Sequence, residues 1–90
     1  MPNLELPSSL VTVQWLADAL ANKPSELIVL DASWHMPAAQ RDGEAEWRQV
    51  RIPGSRFFDF DRRICDRDAT LPHMMPDASV FTSEMQRLGI

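Results

Sequence analysis

The chain has 90 residues, 44% hydrophobic and 24% charged, with a formal net charge of −4 and a pI near 4.9. That length holds one small domain at most, and the composition excludes a disordered chain. The acidic balance disfavours the clustered positive charge of a nucleic-acid footprint, and no apolar run approaches the roughly 20 residues of a membrane span. Arg48, Arg51, Arg56, Arg62, Arg63 and Arg67 make the middle locally basic, but Glu44, Glu46, Asp59, Asp61, Asp66 and Asp68 offset them.

Residues 1 to 9 form a polar, proline-bearing lead with neither the basic start nor the long apolar core of a signal peptide. The single cysteine, Cys65, forms no internal disulfide and no thiolate metal site by itself, which fits a reducing compartment. The expected location is the cytoplasm.

Leu10-Val11 reads as a short edge strand. Thr12 then suits a helix N-cap, and Val13, Leu16 and Leu20 recur at helical spacing, predicting a helix over about Val13–Ala21 that Asn22-Lys23-Pro24 stops. Leu27-Ile28-Val29-Leu30 is a short, continuous apolar run, the pattern of a strand buried on both faces in a parallel sheet. Asp31 to Pro37 leaves it as a loop. Gly43 to Val50 predicts a short helix with Trp47 and Val50 inward and Glu44–Arg48 as a supporting pair worth a few tenths of a kcal/mol.

Next comes Arg51-Ile-Pro-Gly-Ser-Arg-Phe-Phe-Asp-Phe-Asp61. Pro53-Gly54 marks a turn, and Arg56 to Phe60 an aromatic strand ending on Asp61. Acidic groups at strand ends in α/β proteins face the crevice where ligands bind, so Asp61 is a candidate site residue. Arg62 to Pro76 is a long irregular segment, of the kind that is often functional. Asp77 caps a last helix, Ala78–Leu88, with Phe81, Met85 and Leu88 inward and Gly89 closing it. Helix, strand, helix, strand, loop and helix in that order predict an α/β fold with a parallel sheet. Two strands are fewer than a sheet usually has, so the expectation is the first part of a larger domain.

Leu30-Asp31-Ala32-Ser33-Trp34, Arg41-Asp42, Ile52-Pro53-Gly54, Phe57-Phe58-Asp59-Phe60-Asp61 and Leu71-Pro72-His73-Met74-Met75-Pro76, in this order and with these gaps, resemble the beginning of the two-domain rhodanese-type sulfurtransferases. The 3-mercaptopyruvate branch is the nearer one. The resemblance implies a rhodanese-like three-layer α/β domain, incomplete here, with residues 1–90 as the N-terminal portion of the first domain and the second domain absent. It implies transfer of sulfane sulfur from 3-mercaptopyruvate or thiosulfate to a thiol (a thioredoxin-like acceptor) or cyanide, through a persulfide on a cysteine of the second domain. No cofactor, nucleic acid or membrane is implied.

By the same resemblance Asp61 and His73 are auxiliary catalytic residues, a carboxylate orienting an imidazole that serves a hydroxyl beside the distant cysteine. Trp34 is a cleft-lining residue. The sequence departs from the family at Arg51, where histidine is common, and at Ser55, where alanine is common. Its Asp61-to-His73 spacing is about one residue longer than in some relatives.

Plainer readings stand beside these. His73 is also an ordinary loop histidine and Asp61 an ordinary turn former, while Asp59 reads as scaffold. Cys65 has arginines nearby but Asp66 directly after it and no glycine-rich turn, so it is not expected to be the nucleophile. Met74-Met75 and Trp34-His35-Met36 read as packing residues, and His35 with His73 lacks a metal-ligand spacing. Whether these residues catalyse anything alone stays open. The alternatives are a catalytically inactive rhodanese-like binding or regulatory module and a truncated product without function.

Overall fold

The computed structural model describes residues 4–22 and 24–90. The first three residues of the lead, and Lys23 in the expected helix stop, lie outside the described residues. The observed order is α1 (Val13–Asn22), a 3₁₀ turn (Pro24–Glu26), β1 (Leu30–Asp31), a second 3₁₀ turn (Pro37–Ala39), α2 (Gly43–Gln49), β2 (Arg56–Phe57) and α3 (Ala78–Arg87). The two strands pair in parallel, Leu30 opposite Arg56 and Asp31 opposite Phe57, with α2 in the crossover between them. Helix and parallel strand thus alternate as the sequence predicts.

α1 starts where Thr12 Oγ1 accepts a hydrogen bond from the Trp15 amide at 3.0 Å, satisfying a donor that the first helical turn leaves open. Ala19 is buried and Leu16 and Leu20 are half-buried, whereas Val13, expected on the same stripe, is exposed. Leu10 and Val11 form no strand. The Ser8 hydroxyl donates to the Leu10 carbonyl instead, a local bond that competes with a sheet ladder.

The Leu27–Leu30 run is strand only at its last residue, and it is not buried on both faces: Ile28 is 46% and Leu30 37% exposed. Among the described residues the sheet has two strands, so only the stretch facing β2 gains ladder bonds and cover. Those bonds run from the Arg56 amide to the Val29 carbonyl and from the Phe58 amide to the Asp31 carbonyl, at 3.0 and 2.8 Å.

Asp42 caps α2 by accepting from the Ala45 amide at 3.1 Å, and the expected Glu44–Arg48 pair forms at 3.2 Å. Val50, expected to point inward, is instead the C-cap residue, extended and exposed. Leaving helical geometry there swings its side chain out, so Trp47 packs on Phe57 without it, ring centroids 5.9 Å apart. Trp47 also touches the two residues, Ser55 and Arg51, whose types depart from the family pattern. Its indole N–H donates to the buried Ser55 hydroxyl at 3.0 Å, and the Arg51 guanidinium lies 5.1 Å above its ring. Arg51 also donates to the Arg48 carbonyl at 3.1 Å, placing a cation at the helix C-terminus. Ile52-Pro53-Gly54-Ser55 then makes the predicted turn, closed by a 3.0 Å bond from the Ser55 amide to the Ile52 carbonyl. Gly54 there has φ of +76°, the value a type II turn requires at its third residue.

α3 is capped by Asp77, which accepts from the Val80 amide at 2.9 Å. It ends in a Schellman motif at Gly89, with the Gly89 amide on Gln86 O and the Ile90 amide on Met85 O. Its inward face differs from the expected stripe: Phe81 is 42% exposed while Glu84 is 6% exposed. Arg63 and Arg87 hold the Glu84 carboxylate, and this ion-paired face, with half-buried Val80, Met85 and Leu88, seats the helix.

Among the described residues the buried apolar ones are Ala19, Ile64 and Cys65. A radius of gyration of 15.2 Å exceeds the roughly 12 Å of a closed domain of this length. The chain therefore frames a surface more than it encloses a core, and the site lies on that surface.

Candidate functional site

The aromatic strand is shorter than predicted. It ends at Phe57, and Asp61 sits in the following turn, not at a strand end. The reason is Asp59, whose carboxylate accepts from the amides of Asp61 (3.2 Å) and Arg62 (2.9 Å) while its carbonyl accepts from those of Arg63 and Ile64 (3.2 and 2.7 Å). An aspartate that bonds backbone amides two and three residues on forces a turn in place of further strand. Asp59 is scaffold. Asp61 contributes its amide to that turn and keeps its carboxylate out of the turn's hydrogen bonds.

Twelve residues later the loop returns His73 to the same place. The Asp66 amide donates to the Met74 carbonyl at 2.8 Å, which closes the loop beside His73. His73 has φ of +62°, a left-handed conformation that costs a non-glycine residue about 1 kcal/mol or more. The result is a hydrogen bond from His73 Nε2 to Asp61 Oδ1 of 2.8 Å. A carboxylate only accepts, so Nε2 carries the proton and Nδ1 is the nitrogen left to exchange one. Two aromatic rings fix the imidazole from the sides, Trp34 at 4.6 Å and 84° and Phe60 at 4.8 Å and 69° between ring planes. Arg62 reaches Asp61 only at 3.8 Å and is largely exposed. The pair is itself partly open, with 25% of the His73 and 35% of the Asp61 side chain accessible.

Beside the pair lies an open cavity of about 240 Å³, lined by Trp34, His35, Phe58, Phe60, Asp61 and Arg62 among others. The structure thus brings Asp61, His73 and Trp34 together, as an acid, an imidazole and an aromatic wall. It does not bring His35 to them as a partner. His35 Nε2 donates to Glu46 Oε1 at 3.1 Å, and Arg41 takes both oxygens of the same carboxylate, at 2.9 and 2.8 Å. Those Arg41 hydrogen bonds, with a smaller contribution from His35, hold the Glu46 carboxyl below the usual glutamate range against partial desolvation. Among the described residues no cluster of His, Cys, Asp and Glu side chains is arranged to hold a metal ion.

Cys65 is buried under the Asp59–Cys65 turn, where its thiol donates to the Asp61 carbonyl at 3.5 Å. Among the described residues its neighbourhood includes Asp66, Asp68 and Asp77 beside the one cation Arg67, an acidic balance that disfavours a thiolate. Sequence reasoning missed two contributors. Phe60 was legible as an aromatic residue but not as a wall of the imidazole, and Glu84 gave no sign of burial beyond its helical spacing from Arg87. Burial pushes the Glu84 carboxyl up, and hydrogen bonds from Arg87 and Arg63 outweigh it, leaving the group below its ordinary value.

No family model matches the chain. The curated relatives it matches include 3-mercaptopyruvate sulfurtransferase of Homo sapiens, 40% identical over 94 residues that cover 100% of this chain and 31% of the relative. Thiosulfate/3-mercaptopyruvate sulfurtransferase 1 of Arabidopsis thaliana is 42% identical over 80 residues, covering 89% of this chain and 20% of the relative. Thiosulfate sulfurtransferase of Gallus gallus is 36% identical over 87 residues, covering 94% and 29%. The chain therefore spans less than a third of the length of these relatives. Its likeness to these sulfurtransferases runs over its whole length, and with its alternating helices and parallel strands it is consistent with an N-terminal piece of a rhodanese-type sulfurtransferase.

Proposed function

We propose that this chain is the N-terminal portion of a rhodanese domain and forms one wall of a sulfurtransferase cleft. Sulfane sulfur passes there from 3-mercaptopyruvate, or thiosulfate, to a thiol or cyanide acceptor. Asp61 and His73 are the auxiliary catalytic pair, Trp34 lines the cleft, and the nucleophilic cysteine comes from outside these residues. The observation that carries the reading is the 2.8 Å bond between His73 and Asp61. A reducing, cytoplasmic setting belongs to the same proposal, since Cys65 is a free thiol.

The chemistry separates the two donors. When a thiolate takes sulfur from mercaptopyruvate, an S–S bond forms and the C–S bond breaks, its electron pair leaving on carbon as the pyruvate enolate, which must gain a proton. Thiosulfate gives up the same sulfur and leaves as sulfite, a stable anion. A histidine positioned to pass a proton serves the first reaction and is idle in the second. Asp61 keeps the imidazole in the tautomer whose Nδ1 faces that task and steadies the charge it gains when protonated.

The test is made in the full-length protein that carries this chain, with the chain grafted in place of the matching segment of the human relative as a second background. His73→Gln should slow mercaptopyruvate turnover about 100-fold and leave thiosulfate turnover within about threefold. Equal losses with both donors sink the assignment. The 90-residue chain alone should release no sulfur from either donor, and turnover abolished by Cys65→Ala would overturn the placement of the nucleophile elsewhere.

A further inference from the structure

The Asp61–His73 pair is built from a turn and a loop, and neither belongs to a helix or strand. Something must hold that irregular segment still, and the burial pattern shows what. Glu84, in the middle of α3, is 6% exposed, while the aromatic Phe81 on the same helix is 42% exposed. A buried carboxylate is costly unless paired, so its partners define what the helix is fastened to. Arg87 Nε donates to Glu84 Oε2 at 3.0 Å, a bond that lies wholly within α3 and fastens the helix to nothing. Arg63 Nη1 donates to Glu84 Oε1 at 3.2 Å across 21 residues, and Arg63 is two positions after Asp61 in the turn that Asp59 organises. Asp66, the residue directly after that turn, is tied to the His73 side of the loop by the 2.8 Å bond from its amide to the Met74 carbonyl. One bond thus anchors the acid's turn to a regular helix, and the next anchors the histidine's loop to that turn.

We infer that Glu84, through Arg63, is a positioning residue for the Asp61–His73 pair, fixing the turn that aims Asp61 at the imidazole. This rests on the catalytic reading of that pair given above. Asp61 lines the open cavity and its side chain is 35% accessible, while Trp34 and Phe60 pack on the imidazole, so the placement of the acid is left to its turn. Proton transfer through an imidazole depends on its placement to within a fraction of an ångström. Loosening the turn therefore costs the proton-dependent donor more than the other.

The two arginines give the discriminating experiment. Arg63→Ala and Arg87→Ala each remove one guanidinium from the same carboxylate, but only the first severs the link to the turn. In the full-length protein, Arg63→Ala should lower kcat for mercaptopyruvate about tenfold, with KM and thiosulfate turnover within about twofold. Arg87→Ala should change neither by more than about twofold. Glu84→Gln should reproduce Arg63→Ala. If that variant does not fold, the contrast between the two arginines decides alone.

In a His73→Gln background Arg63→Ala should have no further effect on mercaptopyruvate turnover, because two residues acting through one imidazole are not additive. Equal effects of Arg63→Ala and Arg87→Ala, or full additivity with His73→Gln, overturn the inference. If His73→Gln spares mercaptopyruvate turnover, the catalytic reading fails first. The His73 ring ¹⁵N resonances then test positioning by themselves: Arg63→Ala should shift them and Arg87→Ala should not, and the reverse overturns it.

Discussion

Two histidine–carboxylate pairs flank Trp34, and they are built to opposite ends. His35 donates to Glu46 at 3.1 Å, but Glu46 also receives two hydrogen bonds from Arg41. Its charge is already matched, and the imidazole is a third and weaker claimant. His73 donates to Asp61 at 2.8 Å, and the nearest guanidinium, Arg62, stands off at 3.8 Å. Asp61 therefore gives its charge to the histidine, whereas Glu46 gives its charge to an arginine. The supports differ too. Glu46 rides on α2, and Asp61 hangs from an Asx turn held by Asp59. A histidine beside a carboxylate is thus no sign of acid–base chemistry by itself; what else the carboxylate holds decides its capacity.

The widest separation between the pairs should be kinetic. His35→Gln, made beside the His73→Gln variant, is expected to leave mercaptopyruvate turnover within about threefold while His73→Gln loses about 100-fold. Matched losses would erase the distinction. A smaller effect should follow from α2. A Cβ on Gly43 would lie 2.5 Å from the Ser33 carbonyl oxygen, which is backbone and cannot step aside alone. Gly43→Ala should cost about 1–3 kcal/mol by denaturant melting and shift the His35 ring resonances. The smallest effect is the response to acid. Glu46 is held below its ordinary value, so its pairing stabilises the fold at neutral pH. That contribution fades as pH falls from near the unfolded glutamate value of about 4.3 through the lower folded one. Arg41→Met should flatten the fall in Tm within that window, and an unchanged slope would show that the arginine does not govern the pair.

The helices and their ends were legible because the chemistry that makes them is local. Thr12 and Asp77 cap as residues of their type do, and Gly89 closes α3. The strands were overdrawn, since an apolar run such as Leu27–Leu30 does not reveal how many neighbours will pair with it. Asp61, His73 and Trp34 were reachable through the family pattern, but their contact was not. It depends on a loop closure between Asp66 and Met74 that involves backbone atoms and leaves no mark in residue type. The face of α3 was misassigned for a related reason. Periodicity favours Phe81 inward, and the burial of Glu84 rests on two guanidiniums, that of Arg87 on the same helix and that of the distant Arg63.

The bond between Asp66 and Met74 also sets where the chain tolerates change. It turns the segment into a stem with a tip, the tip running over residues 67–72, with the stem bringing the His73 end of the segment back to the Asp61 end. Residues added or removed at the tip alter the count between acid and base without altering the gap. A longer spacing between acid and base can then be accommodated in the tip, so that the distance across the pair need not follow the length of chain that joins it.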